Sequence, residues 1–356
     1  MTRYKVAIVG AGIGAEHAAA YRNLPARFEV RTICDLDVPR AELIVTQTPG
    51  ARSGSDFQQV LADPEIDIVD ICLPPHLHLQ HCIAALQAGK HVVCEKPLVA
   101  SLAEADQLHA AMQASGQQLF PVFQYRYGRG ARQLRALIDA GLAGTPFTAS
   151  LETHWNRGGI YYEPEWRGTW RGEQGGALLN HAIHIHDWLS FILGPVASVF
   201  ARIATRVNPI EVEDCAALSI EMENGALATS SITLGAATDT SRLRFCFSEL
   251  TAESGSLPYA PASDEWQFTA RVPAQQAAVD AVVDAVNDVP AGFEGLFAAV
   301  AETLDGNPGR QVTIADARRS LEFVTAAYAS AREQQPVAMP LQSSHPLYDS
   351  WLPSES

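Results

Sequence analysis

The sequence predicts an α/β protein with two domains, an N-terminal doubly wound parallel sheet followed by an α+β domain. Over residues 1–122, short apolar runs alternate with helical patterns, which is the arrangement that βαβ units produce. These runs are continuously apolar, as is typical of strands buried on both faces of a parallel sheet. Beyond residue 123, longer stretches of alternating polarity favour antiparallel strands with one covered face.

The elements of the first domain, residues 1–122, follow in order along the chain. Strands are expected at "YKVAIVG", "FEVRTICD", "IDIVDICL", "KHVVCEKP" and "QLFPVFQ". Helices are expected between them, at Ala15–Leu24, Phe57–Ala62, Leu79–Ala88 and Leu102–Ser115. This alternation predicts helices on both faces of a parallel sheet.

The second domain, residues 123–356, has a different pattern. Antiparallel strands are expected at "TPFTASLETHW", "ASVFARIATRV", "CAALSIEMENGALATSSITL" and "LRFCFSEL". A long helix is expected at about residues 314–333, followed by "PVAMPL" and a polar tail.

Composition restricts the partners and the location. Acidic residues outnumber basic residues by 40 to 25, which gives a formal net charge of -15. Such a surface repels polyanions, so nucleic acid and anionic membranes are not expected as partners.

The six cysteines include no CxxC pair, which indicates reduced core residues in the cytoplasm. The apolar run at the N-terminus is short and glycine-rich, so we expect a strand and turn rather than a signal peptide. No segment approaches the length of a membrane span.

The first strand runs directly into the turn "GAGIGA", which starts at Gly10 and leads into a helix. A strand, a G-x-G-x-x-G/A turn and a helix in this order are typical of dinucleotide-binding Rossmann domains. Gly10 is expected to permit the tight turn, Gly12 the approach of a pyrophosphate, and Ala15 the packing of helix on strand. Amides at the start of the helix, including those of Ile13 and Gly14, are expected to bind the phosphates. A purely structural turn is the alternative.

Asp35 ends the second predicted strand. A carboxylate there can accept hydrogen bonds from a ribose hydroxyl and would repel a 2′-phosphate, which favours NAD over NADP. Arg40 weakens that preference, so NADP remains open. A solvated aspartate is the structural alternative.

Lys96 follows an apolar strand in "GKHVVCEKPL", and Pro97 prevents the strand from continuing. In an open parallel sheet, the carboxyl ends of the strands face the ligand crevice. A lysine there can hydrogen-bond a substrate hydroxyl and stabilise an alkoxide as hydride leaves the carbon, with Glu95 orienting it. A solvated surface pair is the alternative.

The chain resembles the Gfo/Idh/MocA family of nicotinamide-dependent sugar and polyol oxidoreductases. The resemblance lies in "GAGIGAEH", "PPHLHLQHCIAALQAGKHVVCEKPL", "GGALLNHAIHIHDWL" and the closing "DARRSLEFVTAAYASAREQQPVAMPL". It implies a Rossmann domain and a second domain with a large open, mostly antiparallel sheet that often mediates assembly. A homo-oligomer, dimer or tetramer, is therefore expected.

The resemblance also implies roles for individual residues. Catalysis is expected from Lys96 and His184, and the segment after the fourth strand of the family places Pro74 and His78 near the cofactor, together with Glu95. For His78, a role in holding backbone or in starting a helix is the alternative to cofactor contact. Where the family often has an aspartate four residues before the histidine, this chain has Asn180, a neutral hydrogen-bonding partner for the substrate.

The motif "NHAIHIHD" has the residue types of a metal site. If Leu178–Leu193 is one helix at about 100° per residue, Asn180, His184 and Asp187 share the face opposite the core. The other two histidines then point to the flanks, so the three cannot converge on one ion and no metal is expected. His184 suits general acid/base chemistry. The alternative for this face is the wet side of an amphipathic helix, with Asp187 supporting the site or merely exposed.

The stretch "ETHWNRGGIYYEPEWRGTWRG" is the hypothesis for substrate recognition. Aromatic faces stack on sugars and arginine forks hold carboxylates, so Trp166 and Arg167 are candidate ligands of a carbohydrate, neutral or anionic. Tyr125 and Arg126 are further candidates, because they follow the last strand of the first domain. Packing or an oligomer contact is the alternative for the aromatic residues.

Together these features predict an NAD(P)-dependent enzyme that moves hydride between nicotinamide and a secondary hydroxyl of a sugar, sugar acid or cyclitol. One alternative is a glycoside-cleaving enzyme that uses NAD transiently, through oxidation, elimination and reduction. Another is an NAD-binding sensor without turnover. Net formation of NADH separates the first two.

Overall fold

The structure is a computed structural model that describes residues 2–287 and 289–353. The chain forms two compact units, Met1–Phe123 with Phe293–Arg318, and Gln124–Gly292 with Arg319–Ser356. The sequence predicted a single division at residues 122 and 123. The structure differs because a later segment returns to the first unit.

The first unit contains a six-stranded sheet in the order β3-β2-β1-β4-β5-β6, in which every pair of neighbours is parallel. The strands are β1 (Tyr4–Val9), β2 (Phe28–Cys34), β3 (Arg52–Gly54), β4 (Ile68–Ile71), β5 (His91–Cys94) and β6 (Leu119–Pro121). The order reverses between β1 and β4, which is where open α/β sheets bind their ligands. The doubly wound parallel sheet predicted from the sequence is confirmed.

Helices connect these strands. They are α1 (Gly14–Arg22), α2 (Val38–Thr46), α3 (Phe57–Ala62), α4 (His78–Gln87) and α5 (Leu102–Ser115). Local sequence fixes their ends: Ser101 accepts a hydrogen bond from the Glu104 amide while Glu104 accepts one from the Ala100 amide, so a capping box starts α5. The sequence prediction omitted α2 and β3.

The second unit contains an eight-stranded sheet in the order β13-β12-β11-β7-β10-β9-β8-β14. Its strands are β7 (Pro146–Asn156), β8 (Val196–Ala204), β9 (Cys215–Met222), β10 (Leu227–Thr233), β11 (Gly235–Phe247), β12 (Leu250–Ser254), β13 (Trp266–Ala270) and β14 (Val337–Ala338). Neighbours are antiparallel except β7 and β10, which are parallel. Side chains alternate between buried and exposed along β9 and β10, so one face of the sheet is covered and the other is open.

The helices of the second unit are α6 (Arg129–Asp139), α7 (Trp170–Glu173), α8 (Ala177–Asn180), α9 (Ile183–Leu193) and α10 (Gln276–Ala285). Helix α9 lies on the covered face of the sheet, because its His186 hydrogen-bonds Ser230 of β10. The single helix considered for Leu178–Leu193 is wrong: the chain breaks at His181 and Ala182, between α8 and α9.

Two helices complete the fold. Most of α11 (Gly292–Leu304) belongs to the first unit, where Phe297 stacks on Tyr21 of α1 with ring centroids 3.9 Å apart. This aromatic packing is what joins the later segment to the N-terminal sheet. Helix α12 is Ile314–Glu333, the range that the sequence predicted. In the part of the chain that the structure describes, no helix is both long and apolar enough to cross a membrane.

Candidate functional site

The glycine turn lies at the carboxyl end of β1, beside the end of β4. Gly10 has φ +105°, and a Cβ placed on it would lie 2.3 Å from the carbonyl oxygen of Cys72. A Cβ on Gly14 would lie 2.8 Å from Ile8 Cγ2, so Gly14 is the residue that lets α1 pack on β1. Ala15, which was expected to permit this packing, is exposed. The prediction was off by one position because the helix begins at Gly14.

The same turn has room for a ligand. A Cβ on Gly12 would meet only the Arg40 guanidinium, at 3.7 Å, and Ile13 is partly exposed at the start of α1. Asp35, at the end of β2, accepts hydrogen bonds from the Ala11 amide at 2.5 Å and the Asp37 amide at 2.8 Å. A carboxylate is thus fixed beside an open backbone turn, and these residues fit the ribose and pyrophosphate of a dinucleotide.

Lys96 follows β5 in the first unit, and its main chain is held on both sides. The amide of Lys96 donates to Glu95 Oε2 at 2.9 Å. The Lys96–Pro97 bond is cis, and the Pro97 carbonyl lies 2.8 Å from His78 Nδ1. His78 Nε2 lies 2.8 Å from the Leu73 carbonyl, so this histidine links the backbone after β4 to the backbone after β5.

The position of His78 decides between its two predicted roles. The ring is completely buried, and both of its nitrogens face backbone carbonyls. Burial lowers the pKa of His78, although the two carbonyl contacts oppose that shift. His78 therefore holds backbone. Pro74 lies just before it, at the start of the short 3₁₀ turn Pro75–Leu77.

Sequence reasoning missed a buried cluster next to Glu95. His17 of α1 lies between Asp70 of β4 and Glu95, 2.8 Å from Asp70 Oδ2 and 3.1 Å from Glu95 Oε1. His17 and Asp70 are fully buried. One signal was available, because a charged residue inside an apolar strand, as in "IDIVDICL", requires a buried partner.

In the second unit, Asn180 ends α8, and its amide group is fixed by backbone. Asn180 Nδ2 donates to the Glu173 carbonyl at 3.1 Å and to the Gly175 carbonyl at 2.6 Å. These two acceptors determine which end of the side-chain amide is nitrogen, and they direct Oδ1, the acceptor atom of the group, to the other side.

The turn before α8 wraps around a buried carboxylate that sequence reasoning also missed. Glu213 accepts hydrogen bonds from the amides of Gly176 at 3.1 Å and Leu178 at 3.0 Å, and from the Tyr328 hydroxyl at 3.1 Å. Burial raises the pKa of Glu213 to about 7, against these hydrogen bonds. A Cβ on Gly176 would lie 2.0 Å from the Glu213 carbonyl oxygen, which explains the second glycine of "GGALLN".

His184, in the first turn of α9, is held by the segment that follows β6. Its ring stacks on Tyr125 with centroids 4.2 Å apart. The next residue, Arg126, forms a bidentate ion pair with Asp187, with both N–O distances 2.6 Å. Trp188 Nε1 donates to the Tyr125 carbonyl. Two consecutive residues therefore fix three positions along α9.

These contacts correct two expectations. The helix face with His184 and Asp187 is not wet, because these residues are only 3% and 1% exposed. Arg126 was expected to bind substrate, but its guanidinium is held by Asp187 and also lies over the Phe191 ring. The sheet and the Gln124–Arg126 segment both cover α9, so the His184 and Asp187 side chains are largely buried.

The other two histidines of the motif lie in separate surroundings. His181 packs against the rings of Trp155 and Tyr161. His186 hydrogen-bonds Ser230, and burial lowers its pKa to about 3, so it is neutral. The three histidines thus point to three different environments, although the single helix from which their separation was predicted is broken at His181.

Trp166 and Arg167 lie in the segment between β7 and α7. The Arg167 guanidinium lies over two rings, 4.0 Å from the centroid of Tyr161 and 4.5 Å from that of Trp166. It also lies 3.4 Å from the buried carboxylate of Glu173. Arg157 is held in the same manner, by Asp239 and by aromatic rings. Both arginines already have carboxylate partners.

The two units match two parts of one family. Residues 4–123 match the oxidoreductase family with the NAD-binding Rossmann fold, Gfo/Idh/MocA, and residues 131–253 match the Gfo/Idh/MocA C-terminal domain. The chain belongs to the Gfo/Idh/MocA family. The resemblance inferred from the motifs is therefore confirmed, and the N-terminal domain of this Gfo/Idh/MocA protein is an NAD-binding Rossmann domain.

Several Gfo/Idh/MocA relatives are oxidoreductases of sugars. The uncharacterized oxidoreductase YrbE of Bacillus subtilis is 30% identical over 228 residues, covering 62% of this chain and 64% of the relative. D-glucoside 3-dehydrogenase of Escherichia coli is 29% identical over 247 residues, covering 63% of this chain and 68% of the relative. The crystal structure of WlbA dehydrogenase from Bordetella pertussis, in complex with NADH and UDP-GlcNAcA, has a TM-score of 0.84 at 27% identity, covering 96% and 99% of the two chains. The match to YrbE thus spans just under two thirds of that relative's length.

Proposed function

We propose that the protein is an NAD-dependent oxidoreductase that transfers hydride between the cofactor and a secondary hydroxyl of a sugar, sugar acid or cyclitol. The observation that carries this proposal is the anchored Lys96, which follows β5 in an NAD-binding Rossmann domain whose glycine turn lies at the β1–β4 reversal. The sugar specificity of relatives supports the substrate class. D-glucoside 3-dehydrogenase is named for a glucoside, and WlbA was solved with a nucleotide-linked sugar acid.

The residues of the glycine turn would hold the dinucleotide. Gly12 offers open backbone to the pyrophosphate, the amides at the start of α1 donate to it, and Asp35 accepts from the adenosine ribose. The fixed charge of Asp35 would repel a 2′-phosphate, so NAD is preferred over NADP. Bound NAD⁺ supplies the acceptor for the hydride.

Two side chains would act on the substrate hydroxyl, one on its oxygen and one on its proton. Lys96 Nζ donates a hydrogen bond to the substrate hydroxyl oxygen and stabilises the negative charge that develops there. An imidazole nitrogen of His184 takes the hydroxyl proton, as a general base whose ordinary pKa lies near neutrality. The stacking of His184 on Tyr125 fixes the ring plane, which leaves little reorientation for the reaction step.

Asn180 would position the substrate without moving a proton. Its Nδ2 is held by two carbonyls, so Oδ1 is the atom that can accept a hydrogen bond from a sugar hydroxyl. An amide cannot act as a base at neutral pH, and proton transfer then belongs to His184 alone.

The aromatic residues would set the substrate surface. Arg167 is neutralised by Glu173 and lies against the rings of Tyr161 and Trp166. We therefore assign Arg167 the role of orienting these rings for stacking on sugar C–H groups, rather than of pairing with a substrate carboxylate. This arrangement favours neutral sugars or glycosides over sugar acids.

The test is a turnover assay on purified protein with NAD⁺ or NADP⁺ and a panel of sugars, sugar acids, inositols and aryl glycosides. Stoichiometric NADH with one class is the expected result. In the same assay, K96M should lower kcat by about 10²- to 10⁴-fold while the Kd for NAD⁺ changes little. The matched control K5M removes a partly exposed lysine of β1 that pairs with Glu65 and should leave kcat unchanged.

Three outcomes would contradict the proposal. Aglycone release without net NADH identifies a glycoside-cleaving enzyme that uses NAD transiently. Tight NAD⁺ binding with no turnover on any class identifies a sensor. Full activity of K96M removes the lysine from the mechanism.

A further inference from the structure

A chain of buried charged groups runs through the first unit and ends at the backbone of Lys96. Asp70 Oδ2 lies 2.8 Å from His17 Nδ1, and His17 Nε2 lies 3.1 Å from Glu95 Oε1. The second oxygen of Glu95 accepts the Lys96 amide at 2.9 Å. Glu95 thus uses one oxygen for the histidine and the other for the lysine backbone, so its orientation is set by both.

The geometry determines the charge of His17. Both ring nitrogens face carboxylate oxygens, so both carry a proton and the ring is an imidazolium. Burial is the largest single effect and opposes this charge, but the attraction and hydrogen bond of Asp70 together with the contact to Cys72 outweigh it, so the pKa of His17 lies well above its ordinary value. Burial also acts to raise the pKa of Glu95, but the hydrogen bond from His17 and the charges of His17 and Lys96 overcome it, and that pKa is lowered. The signs of charge alternate from Asp70 to Lys96.

Other contacts of the His17 ring are with neutral groups. The rings of Phe293 and Phe297 lie 4.4 and 5.3 Å away by centroid. Cys72 Sγ lies 3.4 Å from Nδ1, and burial raises the pKa of Cys72, so it is a thiol. His17, Asp70 and Cys72 are also metal-binding residue types, with candidate ligand atoms within 4.8 Å of one another. An ion there would have to displace the Nδ1 proton that already satisfies Asp70.

We propose that His17 is a positioning residue for Lys96: by bridging Asp70 and Glu95, it fixes the carboxylate that holds the lysine backbone. The inference rests on the proposed function, because it concerns the lysine assigned to the substrate hydroxyl. His78 holds the Pro97 side of the same turn. Two buried histidines therefore anchor the Lys96–Pro97 segment, and only His17 does so through a charge.

The proposed bridge predicts different hydrogen bonds in a single variant of His17 and in a double variant of His17 and Asp70. In H17Q, the glutamine amide can donate to one carboxylate, but its oxygen faces the other, and the cation between the two buried carboxylates is lost. In the double variant H17Q/D70N, the introduced asparagine can donate to the oxygen of the introduced glutamine, and the glutamine amide can donate to Glu95. The hydrogen-bonded path to Glu95 is then restored with one negative charge fewer.

The experiment compares kcat, KM and the Kd for NAD⁺ in the wild type, H17Q, H17Q/D70N and C246A. H17Q should lower kcat by about 10- to 100-fold, with KM and Kd within about 3-fold, because a small displacement of Lys96 affects the transition state most. The kcat of the double variant should be at least about 5-fold higher than that of H17Q. The effects of the two substitutions on kcat would then be non-additive, which a loss of packing alone does not produce. C246A removes a half-buried thiol from β11 of the second unit, outside the bridge, and serves as the control, with kcat unchanged.

A spectroscopic measurement on the wild type tests the bridge without turnover. With ¹⁵N-labelled histidine, the His17 ring should show two protonated nitrogens at pH 7.5, assigned by its shift in D70N. A neutral His17 ring, stoichiometric zinc in the purified protein, or wild-type kcat in H17Q would each overturn the inference.

If the wild type turns over no sugar, the proposed function fails while the ¹⁵N spectrum still decides the bridge. If H17Q does not fold, that spectrum and the kcat of D70N decide it, because D70N loses one acceptor of the bridge and should show a reduced kcat.

Discussion

At the scale of single residues, Asn180 shows how the local backbone selects a side chain. Its Nδ2 lies 3.1 Å from the Glu173 carbonyl and 2.6 Å from the Gly175 carbonyl. An aspartate at this position would set a carboxylate oxygen against two carbonyl oxygens. The turn between α7 and α8 therefore requires a donor here, whatever the substrate requires.

We expect N180D to be destabilised at neutral pH by about 1–3 kcal/mol, the cost of two buried acceptors facing a third. Protonation of the aspartate restores one donor, so its pKa should be raised in the folded protein and the loss should shrink as pH falls. The measurement is the free energy of unfolding in urea at pH 5 and pH 8. N180S, which keeps a short donor, is the control.

A result of equal stability for N180D and wild type at pH 8 would contradict this account. It would show that the turn tolerates a carboxylate, so that the asparagine was not chosen by the Glu173 and Gly175 carbonyls.

The candidate site residues that the sequence could place at the edge of the sheet are those whose type and position carry the signal together. Gly10, Asp35 and Lys96 each follow a predicted strand, so the parallel sheet alone places them at one edge. His17 and Glu213 had no such context, because their partners come from elements distant in sequence. Arg126 was assigned to substrate because an arginine after a strand resembles a ligand, and only the fold shows that Asp187 holds it.

At the scale of elements, the turn before α8 depends on one buried carboxylate. The amides of Gly176 and Leu178 donate to the Glu213 side chain, and the Ala177 amide donates to its carbonyl. Three successive amides are thus held by one residue. Glu213 therefore fixes the start of α8, which carries Asn180 and is followed by α9 with His184.

The sequence prediction missed three longer helices, α6, α10 and α11, and also two elements that are short or begin weakly. Strand β3 has only three residues, and α2 begins with Val38 and a proline. The break between α8 and α9 was invisible because "NHAIHIHDWL" keeps a helical periodicity through it. The wrapping of three amides around Glu213 is a tertiary effect that no local pattern encodes.

The raised pKa of Glu213, about 7 against an ordinary 4.5, gives a pH dependence of known sign. The folded state binds the Glu213 proton more tightly than the unfolded state does. The contribution of protonated Glu213 to the free energy of unfolding is therefore fully present below pH 4.5 and is lost as pH rises through about 7. E213Q cannot ionise, and its amide sets a donor against a backbone N–H. We therefore expect E213Q to be less stable than wild type by about 1–3 kcal/mol at low pH, with the gap shrinking towards pH 8.

Urea unfolding of wild type and E213Q at pH 5.5 and 8.0 measures this gap. Groups common to both proteins cancel in the difference. E211Q, which alters an exposed carboxylate bonded to the Trp170 amide, is the control and should show no comparable change. A gap that stays constant with pH would mean that Glu213 does not titrate in the folded protein over this range.

At the scale of the whole molecule, the net charge and the exposed face of the eight-stranded sheet both bear on self-association. The formal net charge of -15 disfavours contact with polyanions, but the open face of the second sheet is not strongly charged. Its central strands expose small side chains: Ser150, Ala217, Ser219, Thr229 and Ser231. These residues are neighbours in register across β7, β10 and β9.

The few charged side chains of this face are partly compensated. Arg242 lies 3.8 Å from Glu152 and Arg244 lies 3.7 Å from Glu253, towards the β11 and β12 side. A flat surface of small residues with a rim of paired charges can approach a second copy closely, while the rest of the acidic surface keeps copies apart.

We expect the protein to form a dimer or tetramer in which this face is covered. Light scattering coupled to size-exclusion chromatography should give at least twice the monomer mass of 38.4 kDa. T229R places a long cation at the centre of the face and should shift the protein towards monomer without lowering its melting temperature as a core substitution would. Q59R adds the same group to exposed α3 and should leave the mass unchanged. A monomeric wild type, or a T229R protein that keeps the wild-type mass, would show that the sheet face is not the interface.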